Sequence, residues 1–389
     1  MFVMKIIRII VALCLCWLNY GFAAEVNVVG FAFAGDFKSA AERFPYTYKL
    51  FKDSKGQYNK TFSSLVNVRM KQVVNPVLEF KSGSSLVNLK NSDQALMAVL
   101  VLTGETVATD YFGSYYKTFV NLRGDALIFD YKGQTIVRSY PVSVVLFDAT
   151  AEKPSEVRIS SFVDELIRRE DGRGLVTQFV RRMETATLPK EGTKTVQVRK
   201  GVILPDALAL MPESLRKNKA ALDTMIADSF ASILSAKVGI SLIPSSIGHA
   251  IGGVMSMYLE NGDDYRLKVG EGDYLFDVSL NKFAKIKASE NKVGTVYVYG
   301  AYTTIRFYEP ALNTVYLDSD IKNGESAIVP VGQISSDDFA AYQDAIRGLY
   351  LKLSDAFVGP STKWITTAAS ANNIESQLNS TREILRSCK

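Results

Sequence analysis

The sequence predicts an α+β protein with two tandem domains, each a mixed or antiparallel sheet packed with helices. The chain has 389 residues, 47% of them hydrophobic and 22% charged, and at roughly 100–200 residues per domain this length favours two cores. Runs of β-branched and aromatic residues alternate with amphipathic segments, which indicates both strands and helices. The order strand, helix, several strands and closing helix occurs twice, and Val28 and Val198 mark corresponding points 170 positions apart. Residue identities are not repeated, so duplication and chance are both open.

Residues 1–23 have the pattern of a secretory signal peptide. Lys5 and Arg8 precede an uncharged apolar stretch, and Gly21 and Ala23 are the small residues that a signal peptidase requires. We expect cleavage after Ala23 and export to a bacterial periplasm, with the cell surface or the extracellular medium as alternatives. An uncleaved membrane anchor is disfavoured, because a spanning helix needs about 20 apolar residues.

Cleavage would leave a single cysteine. Cys14 and Cys16 lie in the predicted signal, and only Cys388 follows it. One cysteine cannot form an internal disulfide, so the mature fold would depend on apolar burial. Cys388 is either inert on a frayed tail, which we favour, or bridges two chains.

The first predicted domain spans residues 24–188. It opens with residues 26–33, a β-branched and aromatic run typical of a buried strand. After a polar loop at 52–60, a helix is expected over 62–74, where Asn75-Pro76 stops it. A core strand is expected over 96–107. Further strands follow over 118–147, with a hairpin turn at 130–134, and closing helices are expected over 161–183.

The second predicted domain spans residues 189–359. A strand over 195–204 precedes a helix over 220–238, with Gly239 placed for a left-handed cap. Ser335 and Asp338 have the spacing of a capping box and predict the closing helix, which Gly359-Pro360 ends. Strands are expected between the two helices, over 274–286, 295–308 and 314–317.

Residues 360–389 are predicted as a polar linker and a short amphipathic helix. Its apolar stripe is formed by Ile374, Leu378, Ile384 and Leu385. A stripe of this kind can dock on the body of the protein or on a partner. We expect the two-domain body to fold without this segment.

The second domain resembles the domain shared by CsgG, the amino-terminal domain of TolB and the LpoB-type activators of penicillin-binding proteins. Residues 225–230 are similar to the start of the family's first helix, 272–278 to its entry into a strand, and 345–349 to its last helix. The proline-phenylalanine pair that often ends the family's first strand is absent, and there is no lipid-attachment box. The resemblance covers about half of the chain. It implies envelope assembly through protein contacts, without catalysis.

The residue types exclude most familiar chemistry. His249 is the only histidine and lies in an apolar, glycine-containing segment typical of a packed core. Zinc sites need three or four ligands, usually rich in His and Cys, and phosphate-binding glycine loops are missing. We therefore expect no cofactor, no metal and no catalytic residue. The formal charge of +5, which falls to +3 without the signal, is too balanced to predict nucleic-acid binding.

Two segments admit competing interpretations. A loop with five acidic residues could bind calcium, but its spacing is not that of an EF-hand and we favour a solvated loop: Glu260, Asp263, Asp264, Glu271 and Asp273. Residues 238–259 are uncharged, with Gly248 and Gly252 in the small-residue spacing of membrane helices. Pro244 argues against insertion, so we expect a buried helix there, packed on a sheet or on a second subunit.

Tyrosines on predicted strands are the candidate binding residues, because exposed tyrosine can anchor a peptide or a glycan. The other interpretation assigns half of them to the core. The candidates are Tyr297, Tyr299, Tyr302, Tyr308, Tyr115 and Tyr116.

We therefore expect an exported, non-enzymatic envelope protein that acts in the assembly or scaffolding of an outer-membrane or surface machine through protein contacts. Its expected partners are envelope proteins, with self-association and peripheral contact with the outer membrane left open. One alternative is a secreted glycan hydrolase, since that chemistry needs only two carboxylates. Another is a surface or host-directed binding protein.

Overall fold

The computed structural model describes residues 23–51, 61–82, 95–245, 250–251, 253–260, 262–331, 338–360 and 363–389. The predicted signal up to residue 22, His249 and Ser335 lie outside these ranges. Two mixed sheets with helices packed on them confirm the α+β class. Within the described ranges, no helix is both long enough and apolar enough to cross a membrane.

The first sheet is built on Ala24–Ala34 (β1), the buried strand that the sequence predicts. It pairs in parallel with Leu78–Ser82 (β2) and with Leu96–Tyr111 (β3). Tyr116–Asp130 (β4) and Thr135–Thr150 (β5) continue the sheet as an antiparallel meander, joined by the predicted hairpin turn.

Helices pack on one face of this sheet. Phe37–Arg43 (α1) and Pro45–Leu50 (α2) are short, and the sequence analysis missed them. Thr61–Met70 (α3), Glu156–Arg168 (α4) and Leu175–Thr185 (α5) form in the predicted segments, and their apolar sides meet the side chains of β1–β5 in one core.

The second half begins with Val196–Ile203 (β6), as predicted. Two short helices, Pro205–Leu208 (α6) and Glu213–Arg216 (α7), lead to the predicted long helix, Lys219–Val238 (α8). Gly239 ends α8 with φ of 73°, which confirms the predicted left-handed cap.

The chain then returns to the first sheet. Leu242–Ile243 (β7) pairs with β6, but Ala250–Ile251 (β8), Val254–Leu259 (β9) and Asp264–Lys268 (β10) join the first sheet. β9 pairs with β1 and β10 pairs with β5, so β1, β3, β4, β5, β10 and β9 form a closed ring. The predicted boundary at residue 189 therefore does not separate the two sheets.

The prediction of a buried helix within residues 238–259 is wrong. In β9 the buried residues Met255 and Met257 alternate with Val254 and Ser256, which is the period of a strand. Both methionines belong to the apolar cluster inside the ring, together with residues of β1, β3 and β4. The lack of charge in β9 reflects the burial of its alternate residues inside the ring.

The second sheet is completed by Tyr274–Glu290 (β11), Gly294–Glu309 (β12) and Thr314–Pro330 (β13), in the order β13-β12-β11-β6-β7. β13 continues far beyond its predicted end at residue 317. The prediction stopped too early because the exposed alternate positions of β13 are polar and weaken the strand pattern. The predicted closing helix is Asp338–Val358 (α9), which packs with α8 on one side of this sheet.

Two helices follow, Lys363–Ala368 (α10) and Ile374–Ser387 (α11). The predicted stripe of α11 is mostly buried, since Leu378 and Leu385 are part of the core formed with β13 and α9. Cys388 is also buried, so the expected frayed tail is wrong. Burial raises the pKa of its thiol to about 11, which keeps it protonated and unreactive at neutral pH.

The two sheets share their connection order and the positions of their irregularities. In each, the first strand is parallel to a short strand on one side and to the first strand of a three-stranded meander on the other. In the first sheet, the end of β1 also pairs antiparallel with β9. The register shifts at corresponding places, after Val28 and Val198, after Leu102 and Leu280, and after Ile128 and Phe307. This register places Arg123 of β4 at the position that Tyr302 occupies in β12.

One face of the long strands β3–β5 contributes side chains to two different apolar clusters. Near the ring it contributes Met97 and Phe129 to the interior cluster. Toward the other end, Phe119 and Phe147 pack against Phe339 of α9, with ring centroids 5.4 and 6.3 Å away. The first sheet is therefore covered at this end by helices of the second half.

Candidate functional site

The strongest candidate is a groove on the second sheet, which we call the ribbon groove. It has a volume of about 310 Å³ and crosses β11, β12 and β13. On the opposite side of β12, Tyr299, Ile305 and Phe307 are buried beneath α8 and α9. The alternate strand residues that line the ribbon groove therefore lie on the face of the sheet opposite this core.

Direct cross-strand pairing arranges the groove in three rows. Successive rows on one face are about 7 Å apart, so the outer two are about 13 Å apart. The rows are Lys282, Tyr302 and Lys322; then Ala284, Gly300 and Gly324; then Ile286, Val298 and Ser326.

The first row is cationic and aromatic. The ammonium of Lys282 lies 4.7 Å from the centroid of the Tyr302 ring. Lys282 and Lys322 are exposed, and neither has an ion-pair partner among the described residues. Two cations on either side of one ring make this row suited to a carboxylate or another anion.

The middle row is a floor of small residues. A Cβ added to Gly300 would lie 3.4 Å from the Tyr302 ring and 3.5 Å from Ala284, at ordinary contact distances. Glycine is therefore not required there by packing, and its absent side chain is what opens the groove.

The third row is apolar and exposed. The side chain of Ile286 is 60% exposed, and Val298 is its direct neighbour on β12. The next row adds Val296 and its partner Ile328, which is 63% exposed. Exposed aliphatic side chains in neighbouring rows form a patch of the kind that marks interaction sites.

The outer edge of the groove is formed by helices. Trp364 of α10 and Lys352 of α9 line it, and the Lys352 ammonium lies 5.8 Å from the centroid of the indole ring. Lys352 also donates to Asn323 Oδ1 at 2.7 Å and to Glu325 Oε1 at 3.3 Å. Its charge is thus already balanced, unlike those of the first row.

Of the predicted tyrosines, Tyr302 alone lines the ribbon groove. Tyr299 is 2% exposed and donates to Asp338 Oδ1 at 2.8 Å, so it is a core residue and its prediction as a binding residue is wrong. Tyr297 lies beside it on the helix-covered face. Tyr308 lies on the groove side, nearer the end of β12, with Arg199 and Arg306 against its ring.

Tyr115 and Tyr116 lie at the hairpin between β3 and β4, on the first sheet. Tyr115 stacks on Phe112 at 5.7 Å, and Tyr116 contacts Tyr111 at 4.9 Å between ring centroids. They form a separate aromatic cluster. The structure does not bring them to the ribbon groove.

Sequence reasoning missed the lysines of the first row. Lys282 and Lys322 were not candidates, because they lie beside Tyr302 only through the strand pairing of two hairpins, β11–β12 and β12–β13. One of these registers shifts between Leu280 and Lys282, and nothing in the residue pattern marks that shift. The available signal was the set of small residues Ala284, Gly300 and Gly324 within strands, since a glycine inside a strand often marks a close approach.

The acidic segment is not a uniformly solvated loop. Glu260 is buried, and its carboxylate accepts from the backbone N–H groups of Phe62 and Ser63 at the start of α3. Asp273 accepts from the backbone and hydroxyl of Thr195. Across the described ranges, no group of three or more His, Cys, Asp or Glu side chains is placed to hold a metal.

A buried polar cluster lies where the first sheet meets α8. Arg123 Nε donates to Asp228 Oδ2 at 3.1 Å, and Ser139 donates to Asp125 Oδ1 at 3.2 Å. Burial, and secondly the charge of Asp228, raise the pKa of Asp125 to about 7. Burial also raises the pKa of Asp228 to about 6, against the opposing effect of Arg123.

The cavity beside this buried pair is small. The cavity that Asp125 and Asp228 line has a volume of only about 20 Å³, which is room for about one water molecule. A sugar ring cannot enter it. The ribbon groove is larger, at about 310 Å³, and its polar wall is cationic.

No protein-family model matches the chain, and no curated protein matches it significantly. The resemblance to the CsgG, TolB and LpoB family stays a prediction.

Proposed function

We propose that this protein is exported to the periplasm and acts there as a non-enzymatic assembly or scaffolding factor that holds partner proteins on the ribbon groove. The observation that carries the proposal is one open sheet face that combines a tyrosine, exposed aliphatic residues and two lysines with no ion-pair partner in the described part of the chain. Such a surface provides an apolar contact and a charge for orientation. The signal pattern at residues 1–23 supports the location.

The test is quantitative affinity purification from the cell envelope with three versions of the tagged protein. The groove variant carries Ile286→Lys and Ile328→Lys, which place charges on the apolar wall. The control carries Val157→Lys, because Val157 is 80% exposed on α4, away from the groove. We expect the wild type and the control to recover the same partner and the groove variant to lose it.

Two results would count against the proposal. Equal recovery by all three proteins would show that partners bind elsewhere. Fractionation that leaves the chain in the cytosol would remove the envelope role. Circular dichroism of the groove variant establishes that any loss is not caused by unfolding.

A further inference from the structure

We propose that the ribbon groove takes a helix of a partner protein that places a carboxylate between Lys282 and Lys322, in the way that the first sheet takes α8. This inference rests on the proposed function and names the chemistry of the partner. Its starting point is the shared register of the two sheets.

The corresponding row of the first sheet is already occupied. Arg123 holds the position of Tyr302, with Gly104 and Ser143 in the places of Lys282 and Lys322. In each sheet this row comes directly after the register shift between the first two strands of the meander. Here the sheet presents a cation, and the carboxylate of Asp228 on α8 binds it at 3.1 Å.

The neighbouring rows repeat the correspondence. Two and four residues before Arg123 along β4 lie Asn121 and Phe119, which correspond to Gly300 and Val298. Phe119 is buried against Phe339, with ring centroids 5.4 Å apart. The first sheet thus meets α8 at a charge in one row and α9 at an apolar contact in a row about 13 Å away.

The ribbon groove offers the same two kinds of contact, on residues that no described part of the chain buries. Its charge is supplied by Lys282 and Lys322 and its apolar row by Ile286 and Val298. Gly300 in place of Asn121 deepens the floor between them. A helix with its side chains is about 10–12 Å in diameter, which is comparable to the spacing of about 13 Å between the outer rows.

The charges of the groove select the partner. Lys352 is neutralised by Glu325, but the two lysines of the first row lack acidic partners among the described residues. A helix that presents a carboxylate to them gains an ion pair and covers the apolar row. A helix that presents lysine or arginine there is repelled.

The probe is a synthetic peptide with the sequence of Lys219–Val238, which carries Asp228 among small residues. It is added to the intact ¹⁵N-labelled protein, and the amide signals of Gly300 and Gly324 are followed. We expect saturable shifts of both signals. The Asp228→Asn peptide, and the protein with Lys282→Glu and Lys322→Glu, should each bind at least about tenfold more weakly.

Two controls distinguish charge recognition from nonspecific binding. Lys153→Glu alters an exposed lysine outside the groove and should leave binding unchanged. A peptide with Asp228→Lys should bind the doubly Glu-substituted protein better than it binds the wild type. Absent shifts at Gly300 and Gly324, or binding that is indifferent to these charge changes, would overturn the inference.

Failure here is distinguishable from failure of the proposed function. If the groove variant with Ile286→Lys and Ile328→Lys still loses its envelope partner while the peptide does not bind, the surface binds a protein of other chemistry. Sedimentation of the intact protein tests whether a second copy of the protein occupies the groove. A dimer that dissociates on Lys282→Glu and Lys322→Glu would identify the partner helix as the protein's own, and a monomer would leave it to another protein.

Discussion

Replacement of Asp125 by asparagine should stabilise the protein at pH 8 and leave its stability nearly unchanged at pH 4. Burial first, and the negative charge of Asp228 second, raise the pKa of Asp125 from 3.8 to about 7. The folded protein therefore retains this proton at pH values where the unfolded chain has lost it. The stability that this provides is complete below about pH 4 and is lost as the pH rises through about 7.

The magnitude follows from the change in pKa. Moving a carboxyl pKa from 3.8 to about 7 corresponds to at most about 4 kcal/mol, at about 1.4 kcal/mol per pH unit. Asparagine is neutral at every pH and keeps an oxygen that can accept from Ser139. We expect the free energy of unfolding to rise by about 2–4 kcal/mol at pH 8.

The assay is urea unfolding of the wild type and of Asp125→Asn between pH 4 and 8. Asp264→Asn is the matched control, because Asp264 is exposed on β10 and should change stability by less than about 0.5 kcal/mol. A difference between Asp125→Asn and wild type that does not vary with pH would refute the reasoning. So would a variant that is less stable at pH 8, since that would mean an ionised, favourably paired Asp125.

Further predictions concern the helices and the buried ion pair. Arg123→Ala leaves Asp228 buried without its partner and should cost about 3–5 kcal/mol, whereas the exposed Arg306→Ala should cost less than about 1 kcal/mol; chemical unfolding of both variants compares them. Glu260→Gln weakens the acceptor for two N–H groups at the start of α3 and should cost about 1–2 kcal/mol, seen as a lower melting temperature, and an unchanged value would contradict the capping role. Truncation after Gly359 removes α11 from the core and should destabilise the second sheet, contrary to the expectation from sequence; a truncated chain with wild-type unfolding would restore that expectation.

The elements with strong local patterns were predictable. The β-branched run of β1 and the left-handed cap at Gly239 express preferences of the local chain. The two short helices α1 and α2 were not predictable in this way. Glu105 of β3 accepts from the backbone N–H groups of Tyr46 and Thr47 in α2, and no local pattern reveals a cap supplied by a distant strand.

The closure of the first sheet was beyond sequence reasoning for a related reason. The uncharged segment around Met255 and Met257 reads equally as a helix or as a strand inside a ring, because both are apolar. Which one forms depends on pairing with Ala32 and Ala34 of β1, more than 200 residues earlier in the chain. Duplication stays a prediction, and the three shared register shifts support it.

The candidate site was predicted in part. Tyr302 was proposed as a binding residue, and it lines the ribbon groove. Tyr299 was proposed on the same grounds and is buried, because adjacent odd and even positions of β12 face opposite sides of the sheet. The sequence establishes that alternation, but it does not establish which side the helices cover.

The most direct test of the central claim is photo-crosslinking in the envelope from a photoreactive amino acid at position 302. We expect a specific partner adduct from position 302 that is absent with the same reagent at position 153. We also expect the adduct to fall at least about tenfold when Lys282→Glu and Lys322→Glu are introduced. An adduct of equal yield from both positions, or one unaffected by the lysine changes, would contradict the claim that this groove is the protein's working surface.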